Sequence, residues 1–134
     1  MLSGYYYQKR SMVIRGTVPS KSNGYKIITI DGHSSLGKTA ALKRYEADFF
    51  AQCKHRGAMV DEYFTIHLDV FYPSKVADLD NSLKTILDCL QYCKVIKNDR
   101  KCVGIVARRF VDKADPRVEI TLTVHGSEGD YTLR

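Results

Sequence analysis

The chain has 134 residues, 44% of them hydrophobic and 27% charged, with 21 Lys+Arg against 15 Asp+Glu and a net charge of +6. That length suits one domain with a real core, and the composition is that of an ordinary globular protein, not of a disordered or fibrous one. No hydrophobic run is long enough to cross a membrane and residues 1–7 lack a signal peptide's apolar core, so a cytoplasmic protein is expected, with Cys53, Cys89, Cys93 and Cys102 reduced.

Residues 1–11 are tyrosine-rich and basic without a period, and read as a loose arm. Met12 to Val18 alternates, with Met12, Ile14 and Val18 on one side, and Pro19 closes it as a strand. Turn chemistry over residues 20–24 leads to a second strand, Tyr25 to Asp31. Residues 32–37 read as a loop. Leu42, Tyr45, Phe49 and Cys53 then recur at helical spacing, which predicts a helix from about Thr39 to Cys53. Tyr63 to Phe71 is a strand with Phe64, Ile66, Leu68 and Val70 on its inner side, stopped by Pro73. A second helix runs from about Asp80 to Tyr92. Strands follow at Cys102 to Val111 and Arg117 to Val124, and the short turn Asp112–Pro116 between them predicts that they pair antiparallel. Residues 125–134 read as a loose terminus. The order β-β-α-β-α-β-β predicts a single α+β domain over residues 1–134, its helices packed on a mixed, largely antiparallel sheet.

The second helix carries the most chemistry. Leu83, Ile86, Leu87, Leu90 and Cys93 share one face, while Asp80, Lys84 and Asp88 form an adjoining i, i+4, i+8 stripe. Asp78 and Asp80 straddle the helix start, where unpaired N–H groups favour negative charge, and Asp99 stands where the next strand begins. Such carboxylates with a lysine one turn away suit a hard divalent cation and an anionic substrate. Taken alone, Asp80-Lys84-Asp88 is also an ordinary surface ion-pair ladder, which leaves Asp78 and Asp99 unexplained. Lys94, Lys97, Arg100 and Lys101 bracket Asp99, with Arg108 and Arg109 further on, and this basic cluster suits phosphate contacts. Cys89 and Cys93, one helical turn apart, could join Cys102 around zinc, but there is no Cys-x-x-Cys pair, both border the apolar face and the four histidines are scattered, so buried thiols are expected instead.

The pattern Asp78-x-Asp80-Asn81, with Lys84, Asp88 and Asp99, resembles the RusA-like family of Holliday junction resolvases, and Pro19-Ser20-Lys21-Ser22-Asn23 is similar to that family's Pro-x-Ser-x-Asn segment. The resemblance covers about residues 12–124. Asn98 stands where the family often has a second acidic residue. The resemblance implies a Mg²⁺-dependent endodeoxyribonuclease, with Mn²⁺ able to substitute, that cuts four-way DNA junctions as a homodimer. In it Asp78, Asp80 and Asp99 hold metal, Asp88 assists as a further or outer ligand, and Lys84 meets the phosphate.

A rival motif is present. Gly32 to Thr39 matches the phosphate-binding P-loop pattern between a predicted strand and a predicted helix, which would make Lys38 a nucleotide ligand. The only fair candidate for the accompanying magnesium aspartate is Asp69, on a strand that alternates like a half-exposed one instead of running continuously apolar. Too few elements follow it to complete a parallel sheet. No nucleotide is therefore expected, and Lys38 becomes a candidate contact to DNA phosphate. A DNA-binding module without catalysis is the other alternative.

Overall fold

The computed structural model describes residues 8–20, 25–76 and 79–126. Its elements are β1 (Gln8–Arg15), β2 (Tyr25–Ile30), β3 (His33–Lys38), α1 (Ala40–Gln52), β4 (Tyr63–Tyr72), α2 (Leu79–Tyr92), a single 3-10 turn (Asp99–Lys101), β5 (Cys102–Val111) and β6 (Arg117–Gly126). The rest is built on β4. Its alternation sends Phe64, Ile66, Leu68, Val70 and Tyr72 to one face, where all five are fully buried. They meet Tyr45 and Phe49 of α1, Ile86, Cys89 and Leu90 of α2, and Val118, Ile120 and Leu122 of β6 in one apolar cluster. Both helices cover that face of the sheet. The result is the expected α+β domain with helices on a mixed sheet.

Strand order departs from expectation. The sheet runs β1-β6-β4-β5, so β4 lies between the two strands expected to form a hairpin. β4 pairs with β6 antiparallel and with β5 parallel. A strand with so apolar a face is most stable with neighbours on both edges, and β5 and β6 supply one each. Neighbouring strands lie about 4.8 Å apart, so crossing over β4 needs about 10 Å, and five residues reach about 17 Å. Turn chemistry in residues 112–116 therefore suits a crossing as well as a hairpin. The crossing is fastened at both ends. The Asp112 N–H donates to the Tyr72 carbonyl at 2.8 Å. The Arg117 guanidinium donates to Asp112 at 2.8 Å, to the Asp115 carbonyl at 2.9 Å and to Glu119 at 2.8 Å, and lies 3.8 Å from the centre of the Phe71 ring.

The stretch expected as a loop is β3, paired antiparallel with β2 from Ile30↔His33 to Tyr25↔Lys38. Asp31 and Gly32, at φ 52° and 78°, make the two-residue turn that joins them. Extended backbone sends successive N–H groups to opposite edges, so Gly32–Lys38 does not form the converging cradle that the P-loop pattern requires. The pattern's last two residues have other work. Lys38 donates to Glu46 at 2.7 Å, and the Thr39 hydroxyl caps α1 by accepting from the Leu42 N–H at 3.2 Å.

β1 begins at Gln8, four residues before the expected start, and β6 runs on to Gly126. Residues 1–7 and 127–134, expected as loose termini, lie outside the described residues, as do Lys21, Ser22, Asn23 and Asp78.

The two outer strands of the sheet differ. At β1, Gln52 from the end of α1 accepts from the Arg15 N–H at 2.8 Å and donates to the Arg15 carbonyl at 3.0 Å, and His55 donates to the Ser11 carbonyl at 3.3 Å. Side chains thus occupy three of the strand's main-chain groups, at Ser11 and Arg15. At β5, among the described residues, the main chain is bonded outside β4 only at its foot, where the Cys102 N–H donates to the Asp99 carbonyl and the Cys102 thiol to the Gly104 carbonyl.

Candidate functional site

α2 follows β4 and turns back across it. Its docking face is rotated from the expected one toward Ser82 and Cys89: Ser82, Thr85, Ile86, Cys89 and Leu90 are buried, while Leu83 and Leu87 are only partly covered. Hydroxyls can face the core here because they are satisfied. Ser82 and Tyr72 hydroxyls meet at 2.6 Å, and Thr85 donates to the Asn81 carbonyl at 3.4 Å. Tyr72 continues the alternation of β4, so its inward position was readable from the sequence, although the expected strand stopped at Phe71.

That rotation turns the polar stripe to solvent. Asp80 is exposed in the first turn, and Lys84 is exposed one turn on. The Lys84 ammonium lies 3.4 Å from a carboxylate oxygen of half-buried Asp88. The three candidates on α2 are therefore together on one accessible face. Asp78 lies outside the described residues.

Asp99 is elsewhere. After α2 the chain passes Lys94 at φ 58° and runs beside the segment that leads into β4. The Gly57, Met59 and Val60 N–H groups donate to the carbonyls of Cys93, Lys94 and Val95. Asn98 then caps the 3-10 turn, its side chain accepting from the Arg100 N–H at 3.0 Å. This gives Asn98 a structural role at the position where the family often has an acid. Asp99 opens that turn at the foot of β5, and β5 starts alongside the start of β4, with Phe64 opposite Cys102. Asp80, by contrast, stands near Tyr72 at the far end of β4. Within one chain Asp80 and Asp99 thus lie at opposite ends of a 14-residue helix, about 20 Å apart at 1.5 Å per residue.

The basic candidates divide in the same way. Lys94, Lys97, Arg100 and Lys101 gather at the foot with Asp99. Two of them converge on Asp61, which the sequence reading missed: Lys97 at 3.4 Å and Lys101 at 3.5 Å. Lys101 also lies over the Tyr63 ring at 5.8 Å. Partial desolvation opposes the shift, but these two ammoniums hold the Asp61 carboxyl below its usual range. No sequence signal flagged it, because it lies 36 residues before Lys97. Arg109 is at the head of α2, donating to the Lys75 carbonyl at 2.6 Å, with its guanidinium 5.8 Å from the Tyr72 ring centre. Arg108 is on the other face of β5, in a two-pronged pair with Asp69 at 2.8 and 2.9 Å. That hydrogen-bonded pair holds the Asp69 carboxyl below the usual range. Lys38 belongs to neither group.

The cysteines behave as expected. Cys53, Cys89 and Cys93 are buried and none is in a disulfide, and burial pushes the Cys89 and Cys93 thiols up to about 12, the latter with Cys53 beside it. Among the described residues no three His, Cys, Asp or Glu side chains stand close enough together to hold a metal ion. The head of α2 nonetheless offers hard oxygen donors of suitable chemistry, because a magnesium site needs only one or two carboxylates beside phosphate and water. No described helix is long and apolar enough to cross a membrane.

A search of curated proteins gave no match. The family model Endodeoxyribonuclease RusA matches residues 23–123, a span that holds the stripe of α2, the 3-10 turn and β4 and β5 whole, and begins after β1. That covers most of the chain, so the protein belongs to the RusA endodeoxyribonuclease family and is a nuclease.

Proposed function

We propose that the protein is a junction-resolving endonuclease that works as a two-fold homodimer on four-way DNA, each active site combining Asp78 and Asp80 of one chain with Asp99 of the other. One observation carries this reading. In a chain of an endonuclease family, the Asp80 carboxylate at the head of α2 and the Asp99 carboxylate at the foot of β5 are about a helix length apart. A two-fold axis that sets head against foot unites them twice, and two sites at fixed separation suit a substrate that needs matched cuts in two strands.

A divalent cation, Mg²⁺ or in its place Mn²⁺, held by Asp78, Asp80 and the second chain's Asp99, would supply positive charge at the scissile phosphate and acidify the attacking water. The chain's own residues do the rest. Lys84 projects from the same face as Asp80 and offers its ammonium to a phosphate oxygen as charge grows there. Asp88, beside that ammonium, limits its wandering. Lys94, Lys97, Arg100 and Lys101 hold the strand that leads into the foot of β5, and Arg109 holds phosphate at the head of α2.

The test uses Asp80→Asn and Asp99→Asn proteins, separately and mixed, on a four-way junction and a linear duplex, with Mg²⁺ or chelator. Each alone should be inactive. In an equal mixture half the dimers are mixed and each of those has one intact site, so strand cutting should return to about a quarter of wild type, on the junction only and only with metal. A mixture as inactive as its components would place each site within one chain and overturn the shared-site reading.

A further inference from the structure

The reading above requires two copies but leaves open which surfaces meet. We infer that the copies join along the free edge of β5, pairing it antiparallel with β5 of the second copy into one continuous eight-stranded sheet.

Three observations converge on this edge. First, β5 is ten residues long, its main chain beyond Gly104 has no bond outside β4 among the described residues, and it exposes apolar side chains: Ile105 46%, Val106 43%, Phe110 38% and Val111 49%. A long, apolar, unpaired edge is a template for another strand. Second, β1 at the opposite side is partly occupied by Gln52 and His55, at Arg15 and Ser11, so β5 is the more open edge of the main sheet. Third, antiparallel pairing sets the foot of one β5 against the upper end of the other. That is the end at which α2 begins, because Val111 lies opposite Tyr72 and Tyr72 is bonded to Ser82. The pairing that satisfies the edge is thus also the one that carries Asp99 toward the second copy's α2. Parallel pairing, or contact through β1, would leave head and foot apart.

The chemistry of the seam is compatible. Side-chain alternation requires opposite residues of two identical strands to share a face, so the two-fold axis passes through one residue; centred on Ala107, Arg108 stands opposite Val106 and Arg109 opposite Ile105 of the partner subunit, so no arginine faces another. The paired positions Val103–Val111 give about eight to ten main-chain hydrogen bonds, within the usual range for a specific interface. Arg108 is already neutralised by Asp69 on its own chain.

This inference rests on the shared-site reading, and the test separates the two. The double variant Ile105→Lys/Val106→Lys puts charge into the seam, while Val13→Lys does the same on β1, where Val13 is 41% exposed. Oligomeric state is measured by sedimentation and folding by circular dichroism. The β5 variant should stay folded, weaken the dimer by about 100-fold or more, and lose cutting in parallel. Val13→Lys should remain a dimer. Because the β5 variant could unfold, hydrogen exchange on wild type above and below its dimer concentration gives a second reading: β5 amides should lose protection on dilution and β1 amides should not. A folded β5 variant that stays dimeric, or β5 exchange independent of concentration, would overturn the seam while leaving a positive result from the mixed-variant test intact. A wild type that is monomeric at cutting concentrations would overturn both.

Discussion

The two outer strands of the sheet share a position but not a treatment. β1 is sealed from its own chain: α1 ends beside it, and Gln52 and His55 occupy main-chain groups that a strand edge otherwise offers to strangers. β5 is left open and apolar, and it begins next to Asp99, in the midst of four basic residues. The difference teaches that an edge left uncovered is better read with its neighbours than by itself. An open edge with no functional group nearby would be a hazard, whereas here it leads from a carboxylate to the place where another is needed.

The contrast can be broken at several points, and the effects should fall in a definite order. Asp99→Asn at the foot of β5 should reduce junction cutting by about 100-fold or more with little change in folding, because it removes a charge at nearly constant volume. The check is the cutting rate at saturating enzyme. Lys84→Ala should come next, at about 10- to 100-fold in rate with junction binding retained, since an ammonium aimed at developing charge acts mainly in the transition state; separate measurements of binding and rate will show it. Lys97→Ala and Lys101→Ala should each weaken DNA binding and lower the slope of log affinity against log salt by about 1. An unchanged slope would mean that these lysines serve only Asp61. At the sealed edge, Gln52→Ala should cost about 1 kcal/mol in urea unfolding and leave the cutting rate as it was, because the freed Arg15 groups can turn to water. Smallest is Arg108→Ala, which removes a solvent-facing ion pair and should leave the urea midpoint close to that of wild type in the same experiment.

Much of this was legible in the sequence, and the reasons for the failures are specific. Period-two alternation in β4 and β6 found both strands, because burial on one face leaves an unambiguous record. β3 was missed because His33-Ser34-Ser35-Leu36-Gly37-Lys38 is poor in β-branched residues and imitates a phosphate loop; only its pairing with β2 makes it a strand. Strand order escaped because a five-residue link serves two topologies. α2 was found, but its face was misjudged, since Ser82 and Thr85 look polar until their hydroxyl partners are known. The candidate residues were named without knowledge of their distances. Asp80 and Asp99 are near in sequence, yet a helix between two parallel strands must carry them apart, and that separation is a property of the crossover.

The two side chains on β1 have a consequence for copy number. A sheet that is open on both sides can add molecules without limit, each newcomer presenting the edge that the last one covered, and the product is a filament. With Gln52 and His55 obstructing one side of the main sheet, joining through β5 uses up that sheet's more open edge. Growth then stops at a closed pair, and the end of α1, far from any carboxylate of the cutting site, acts as the terminator of the assembly.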